Sequence, residues 1–210
     1  MHARLLLVPL LGLSLAGAIR AAPGAYAVDA SASTLTITVG KAGFFSRFGH
    51  THTVVARKMR GEVRADPARP ASSSVHLVFP ATGLEVTDEE LSDKDRASVQ
   101  EHMQEPPCLS VTAFPEIAFT SSAVEVGAAK GPAYDLRMRG TLSLRGIEHE
   151  IELPVKVQLK GDVLEADGDT TLKQTDFGIT PNKVALGTIA VKDELKIHFH
   201  VVARRPAARD

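Results

Sequence analysis

The chain has 210 residues, with 24 Lys and Arg against 25 Asp and Glu, one cysteine and no tryptophan. This near-neutral balance, without a long acidic or basic block, argues against a nucleic-acid-binding protein and against a polybasic membrane contact. Because Cys108 is the only cysteine, no internal disulfide can form, and the core and the sheet must supply the stability.

The first 21 residues have the composition of a secretory signal peptide. A cationic start at 1–4 precedes an apolar run at 5–18, which is shorter than the roughly 20 residues that span a bilayer. The small residues that follow suit a signal peptidase. We predict a signal peptide at 1–21, a secreted mature protein that begins near Ala22, and no transmembrane segment in that mature protein. The alternative is an uncleaved anchor.

Alternation of apolar and polar residues predicts β-strands through most of the mature chain. In the first half these strands are short and cover residues 34–39, 53–65, 74–79 and 115–126. A polar segment without this alternation, 87–103, interrupts them. Thr87 and Glu90 have the spacing of a helix capping box, so we expect one helix or two short turns here.

The second half contains the longest strands. From Tyr134 to Gly146 the even-numbered residues are apolar or glycine and the odd-numbered ones are polar. The parity reverses after Gly146, which indicates a tight hairpin into a strand that extends to Lys160. Further strands follow at 164–172 and 193–203. Eight antiparallel strands joined by short hairpins favour a closed barrel over a sandwich of two sheets, because closure removes exposed edges.

Four segments carry a resemblance to a known family. They are AYAVDASASTLTITV (25–39), AFPEIAFTSSAVEV (113–126), GTLSLRGIEHEIELPVKV (140–157) and TDFGIT (175–180). In this order they resemble the YceI-like family, the lipid- or polyisoprenoid-binding proteins of the bacterial periplasm. The resemblance implies an all-β, lipocalin-like, eight-stranded antiparallel barrel with one or two short helices. This domain would cover 22–205, before a disordered tail at 206–210.

The same resemblance implies a binding protein with an apolar tunnel for an isoprenoid or other long-chain lipid, without catalytic residues or a cofactor. An eight-stranded barrel is wide enough for one slender ligand. The predicted tunnel residues are Phe44, Phe45, Phe48, Phe119, Leu136, Met138, Leu142, Leu144, Leu153, Val155 and Phe177. The predicted contacts for a polar head group are Arg47, His50 and His52.

Two histidine pairs, His50 with His52 and His198 with His200, each share one face of a strand. Such pairs can bind a metal ion. The alternation places His198 and His200 on the wet face, and no nearby carboxylate or thiol completes a ligand set for the other pair, so we predict no metal site. Three functions stay open: a lipid carrier, a histidine-dependent metalloprotein or hydrolase, and a ligand-free stress-related β protein.

Overall fold

The computed structural model describes residues 23–42, 51–184 and 189–206. The β-strands in these ranges are Gly24–Val28 (β1), Thr34–Ala42 (β2), His52–Ala56 (β3), Arg60–Ala65 (β4), Ser74–Pro80 (β5), Leu84–Val86 (β6), Glu116–Lys130 (β7), Ala133–Leu144 (β8), Ile147–Lys160 (β9), Val163–Lys173 (β10), Lys183–Val184 (β11) and Ile189–Arg204 (β12). One α-helix, Asp93–Gln104 (α1), accompanies them, with short 3-10 turns between several strands.

The strands form a closed antiparallel barrel. Neighbours around the wall follow the order β1, β4, β5, β7, β8, β9, β10 and β12, and β12 pairs with β1 to close the ring. Three further strands extend the wall: β2 pairs with β12, β3 pairs with β2, and β6 pairs with β3. The predicted eight-stranded barrel with one helix is confirmed.

The prediction of one continuous strand over 53–65 is wrong. The segment forms β3 and β4, separated by the exposed residues Arg57 and Lys58 and by the buried Met59. Strand β3 pairs with β2 and β6, whereas β4 pairs with β1 and β5. The interruption shifts the alternation by one residue, so that Ala56 and Val63 both face the interior although their numbers differ in parity.

The helix begins later than the capping-box pattern predicts. Ser92 is its N-cap, and its hydroxyl accepts a hydrogen bond from the Asp95 backbone N–H at 3.2 Å. Thr87 instead continues the pairing of β6 with β3, because its backbone N–H donates to the Thr53 carbonyl at 2.8 Å. Both threonine and serine had an acidic residue three positions later, and the long-range β-pairing decided between them.

The hairpin predicted at Gly146 is present. Arg145 and Gly146 have φ angles of 53° and 70° and connect β8 to β9 in a two-residue turn, the geometry that matches the twist of the flanking strands. Strand β8 pairs with β9 from Ala133 opposite Gln158 to Leu144 opposite Ile147. The apolar face of both strands therefore points into the barrel, as their alternation predicted.

Candidate functional site

The barrel encloses a cavity of about 170 Å³. Its walls come from β2, β4, β5, β7, β8, β9, β10 and β12, and its lining is apolar except for a few residues. The predicted tunnel residues that line it are Phe119, Leu136, Met138, Leu142, Leu153 and Val155. An apolar cavity of this kind stays dry and favours apolar guests, because water there would lack hydrogen-bond partners.

Two other predicted tunnel residues lie beside the cavity. Leu144 is partly buried and packs against two core clusters of the barrel. Phe177 has only 2% of its surface exposed, and its ring meets the His149 ring edge-on, with 5.1 Å between the ring centroids. Both side chains thus complete the packing around the cavity, and their contact with a ligand stays a prediction.

Several predictions fall outside the described residues. They concern the tunnel residues Phe44, Phe45 and Phe48, the head-group residues Arg47 and His50, the signal peptide at 1–21, and the last four residues of the tail.

Other cavity residues were not among the candidates, although the alternation of their strands carried the signal. Leu172 on β10 and Phe199 on β12 both line the cavity. The Phe199 ring covers Gly168 on the neighbouring strand, where a Cβ atom would collide with it. The Phe119 ring occupies the corresponding space over Gly140. Glycine is needed at both places because the ring takes the volume of the missing side chain.

One end of the cavity carries a buried carboxylate. Asp66, which is 7% exposed, and Ser73 lie in the β4–β5 loop and line the cavity. Tyr134 of β8 lines it beside them. Burial acts to raise its pKa, but hydrogen bonds from the Arg69 guanidinium and from the Ala68 and Arg69 backbone N–H groups lower it below the ordinary value. The charge is therefore satisfied by its own loop rather than by the cavity.

His52 is half-buried at the start of β3, opposite Val39 of β2, and has the same strand parity as the buried Val54 and Ala56. Its Nδ1 atom lies 2.6 Å from a carboxylate oxygen of Asp88, whose side chain is 5% exposed. No local pattern pointed to this partner, because Asp88 lies 36 residues away in the segment that was predicted as helical.

His198 and His200 lie on the outer face, as the alternation predicted. The Nδ1 atom of His198 is 3.0 Å from Asp169, and that of His200 is 2.7 Å from Asp167. Across 23–42, 51–184 and 189–206, no group of three or more His, Cys, Asp or Glu side chains is placed to hold a metal ion. In the same ranges, no helix has the length and apolar character needed to cross a membrane.

Comparison with known proteins gives one family. A family model described as the YceI-like domain matches residues 26–203. A UPF0312 protein of Shewanella baltica strain OS185 is 28% identical over 200 residues, which is 91% of this chain and 94% of that protein. A second protein of that name, from Shewanella baltica strain OS223, matches equally well.

Solved structures show the same fold. BcnA of Burkholderia cenocepacia is 22% identical with a TM-score of 0.66, and the match covers 84% of this chain and 99% of BcnA. A polyisoprenoid binding domain from Saccharophagus degradans, implicated in plant cell wall breakdown, is 16% identical with a TM-score of 0.60, over 86% of this chain and 98% of that domain.

Proposed function

The chain belongs to the YceI-like domain family, and from that premise we propose that it binds a chain-like amphiphilic lipid, of the polyisoprenoid or fatty-acyl type, inside the barrel. The observation that carries the proposal is the apolar cavity of about 170 Å³. The Saccharophagus degradans relative, described as a polyisoprenoid binding domain, supports it. Burial supplies the affinity, at about 0.8 kcal/mol for each CH₂ group removed from water.

We also propose where the protein acts and what it does with the lipid. The cationic start and short apolar run at the beginning of the chain support secretion into the periplasm, where the protein would carry or sequester the lipid between membranes. The polar head group would lie near His52, together with Arg47 and His50. The Nδ1 of His52 is engaged by Asp88, so the Nε2 atom is the one available to a head group.

The test is lipid binding in a variant with a filled cavity. Met138 is 7% exposed and lines the cavity, so Met138→Trp places the larger indole in the ligand's space. The matched control is Gln158→Trp, on the exposed face of the neighbouring strand β9. Solvent extraction and mass spectrometry of the freshly purified proteins should find lipid in the native chain and in the control, and at least tenfold less in Met138→Trp.

The stability of the same variant separates a ligand cavity from a filled core. Overpacking a filled core typically costs 1–3 kcal/mol, whereas an indole placed in empty space should change the free energy of unfolding by less than about 1 kcal/mol. Native protein without extractable lipid, together with an overpacked Met138→Trp variant, would support the ligand-free β protein and refute the binding function.

A further inference from the structure

We propose that a chain-like ligand enters and leaves the cavity sideways, through an opening in the barrel wall between β9 and β10. This inference rests on the proposed function. The two strands pair at five positions, from Val163 opposite Lys160 to Asp167 opposite Lys156. Beyond that point β9 still pairs with β8, and β10 still pairs with β12. Residues 147–155 of β9 and 168–173 of β10 face each other but do not pair with each other. We call these two facing edges the open seam.

The cause of the opening is a proline. The Leu159 backbone N–H donates to the Pro132 carbonyl at 3.0 Å, on the β8 side of the strand. Since N–H groups alternate along a strand, those of the even-numbered β9 residues point towards β10. Pro154 has no N–H, so the bond that would join it to Asp169, its partner in the continued register, cannot form. The ladder ends where this donor is missing.

At Gly168, just past the last ladder pair, the two strands still approach closely. A Cβ atom at this position would lie 2.5 Å from the Pro154 carbonyl oxygen and would collide with the Phe199 ring. The two backbones therefore touch at the start of the open seam and have no ladder to hold them together after it. A wall that is close at one point and unpaired beyond it can widen there without breaking hydrogen bonds between strands.

The open seam leads directly to the cavity. Ile151 and Leu153 from β9 and Thr170 and Leu172 from β10 line the cavity, and all are half-buried. On the neighbouring strand β8 the cavity residue Met138 is only 7% exposed. The apolar interior thus reaches the surface along this part of the wall, while the unpaired backbone groups of the two edges remain available to water.

Passage of a ligand along the barrel axis, at the end that carries the β8–β9 hairpin, is less favourable than passage through the open seam. Leu109 and Ile179 are 9% and 4% exposed in the core cluster that packs there, so a ligand would have to displace fully packed side chains. At the end of the open seam, Phe177 packs against His149. Sideways passage between 151–153 and 170–172 displaces half-buried side chains and leaves this packing intact, which is why we assign the route to that part of the open seam.

A covalent cross-link across the open seam tests the route. Glu152 and Thr171 are both exposed and occupy facing positions if the β9–β10 register is continued. Their cysteine variants, joined by a short bis-maleimide, would bar the opening. The control joins Gln158→Cys to Glu165→Cys, which are true partners in the intact ladder. Both double variants also carry Cys108→Ala, so that the native thiol cannot react with the maleimide. Burial raises the pKa of this half-buried thiol and already lowers its reactivity.

The readout is the exchange of dansyl-labelled geranylgeraniol between the protein and lipid vesicles, measured by stopped-flow fluorescence. Cross-linking at Glu152→Cys and Thr171→Cys should slow association and dissociation at least tenfold and leave Kd within twofold, whereas the ladder cross-link should change neither rate. Unchanged rates in a seam-cross-linked protein that still binds the probe would overturn the sideways route alone. Absence of binding before any cross-linking would overturn the proposed function and this route with it.

Discussion

Within residues 51–184 the barrel wall is interrupted twice at the end that carries the β8–β9 hairpin, and the two interruptions differ in what occupies them. Between β6 and β7 the gap contains α1, and Gln100 takes the place of a missing strand. Its Oε1 accepts from the Val86 N–H at 2.8 Å and its Nε2 donates to the Leu84 carbonyl at 2.9 Å. We call this gap the filled break. The open seam between β9 and β10 has no such substitute among the described residues.

The difference shows how a closed barrel can combine stability with access. An exposed strand edge invites pairing with other chains unless something covers it. The filled break solves this problem with a side-chain amide that reproduces one pair of ladder hydrogen bonds. The open seam leaves its edges to water and gains a place where the wall can move. The same fold thus carries one rigid interruption and one compliant one.

The largest expected effect comes from removing the amide at the filled break. Gln100→Ala leaves the Val86 N–H and the Leu84 carbonyl without partners, in residues that are 7% and 4% exposed. Each unsatisfied buried group costs about 1–3 kcal/mol, so we expect a loss of about 2–4 kcal/mol in the free energy of unfolding, measured with urea. The control Ser98→Ala, on the exposed side of α1, should change it by less than about 0.5 kcal/mol.

A loss below about 0.5 kcal/mol for Gln100→Ala would mean that water satisfies the edge of β6 equally well. The filled break and the open seam would then be equivalent, and the comparison would fail.

A methyl group at the start of the open seam should have the next largest effect. Gly168→Ala forces the Pro154 carbonyl and the Phe199 ring apart, with a typical overpacking cost of about 1–3 kcal/mol. In the control Gly40→Ala, the new Cβ meets only the flexible side chain of Lys192, and little should change. Equal melting temperatures for the two variants would show that the strands do not touch tightly at Gly168.

Restoring the missing donor should act in the opposite direction. Pro154→Val supplies an N–H that points towards β10, and one further ladder bond stabilises the fold by about 1 kcal/mol. Hydrogen exchange of the backbone N–H groups in β10 beyond Gly168 should slow, and so should exchange of a bound lipid. The control Pro115→Val replaces an exposed proline just before β7. Unchanged protection in β10 would show that Pro154 is not what ends the ladder.

The sequence predicted which residues face the interior of the barrel, but not where the wall is interrupted or why. Alternation placed Met138 and Leu153 on the inner face correctly, because an antiparallel wall with one wet face preserves period two. The division at Met59 and the Asp88 partner of His52 depend on long-range pairing, which local pattern does not encode. Pro154 was a readable signal, since proline within a strand indicates an unpaired edge, but the apolar alternation on either side of it favoured a continuous ladder.

The smallest expected effect concerns a third thin place, where β1 and β12 pair only at Ala27 with Arg204 and Val28 with Ala203. The Asp29 backbone N–H also donates to the Val202 carbonyl at 2.8 Å, and side chains add further bonds between the two strands. Asp29 accepts a hydrogen bond from the Arg204 guanidinium at 2.7 Å and others from Ser31. The Arg204 hydrogen bond first, and then that of Ser31, lowers the pKa of Asp29 to about 2, below its unfolded value of about 3.9.

A lowered folded-state pKa means that the stabilisation is complete above pH 4 and is lost as the pH falls from about 4 to about 2. The difference in unfolding free energy between the native chain and Asp29→Asn should therefore be small and constant from pH 7 to pH 5, and should shrink towards zero at pH 2. The pair is partly exposed, with Arg204 at 55%, so added salt should reduce the difference. Asp135→Asn, which removes an exposed carboxylate, controls for charge. A difference for Asp29→Asn that stayed constant down to pH 2 would show that the carboxylate does not hold β1 against β12. The strands would then be held there by the two ladder pairs and by the Ser33 hydroxyl, which bonds both the N–H and the carbonyl of Val202.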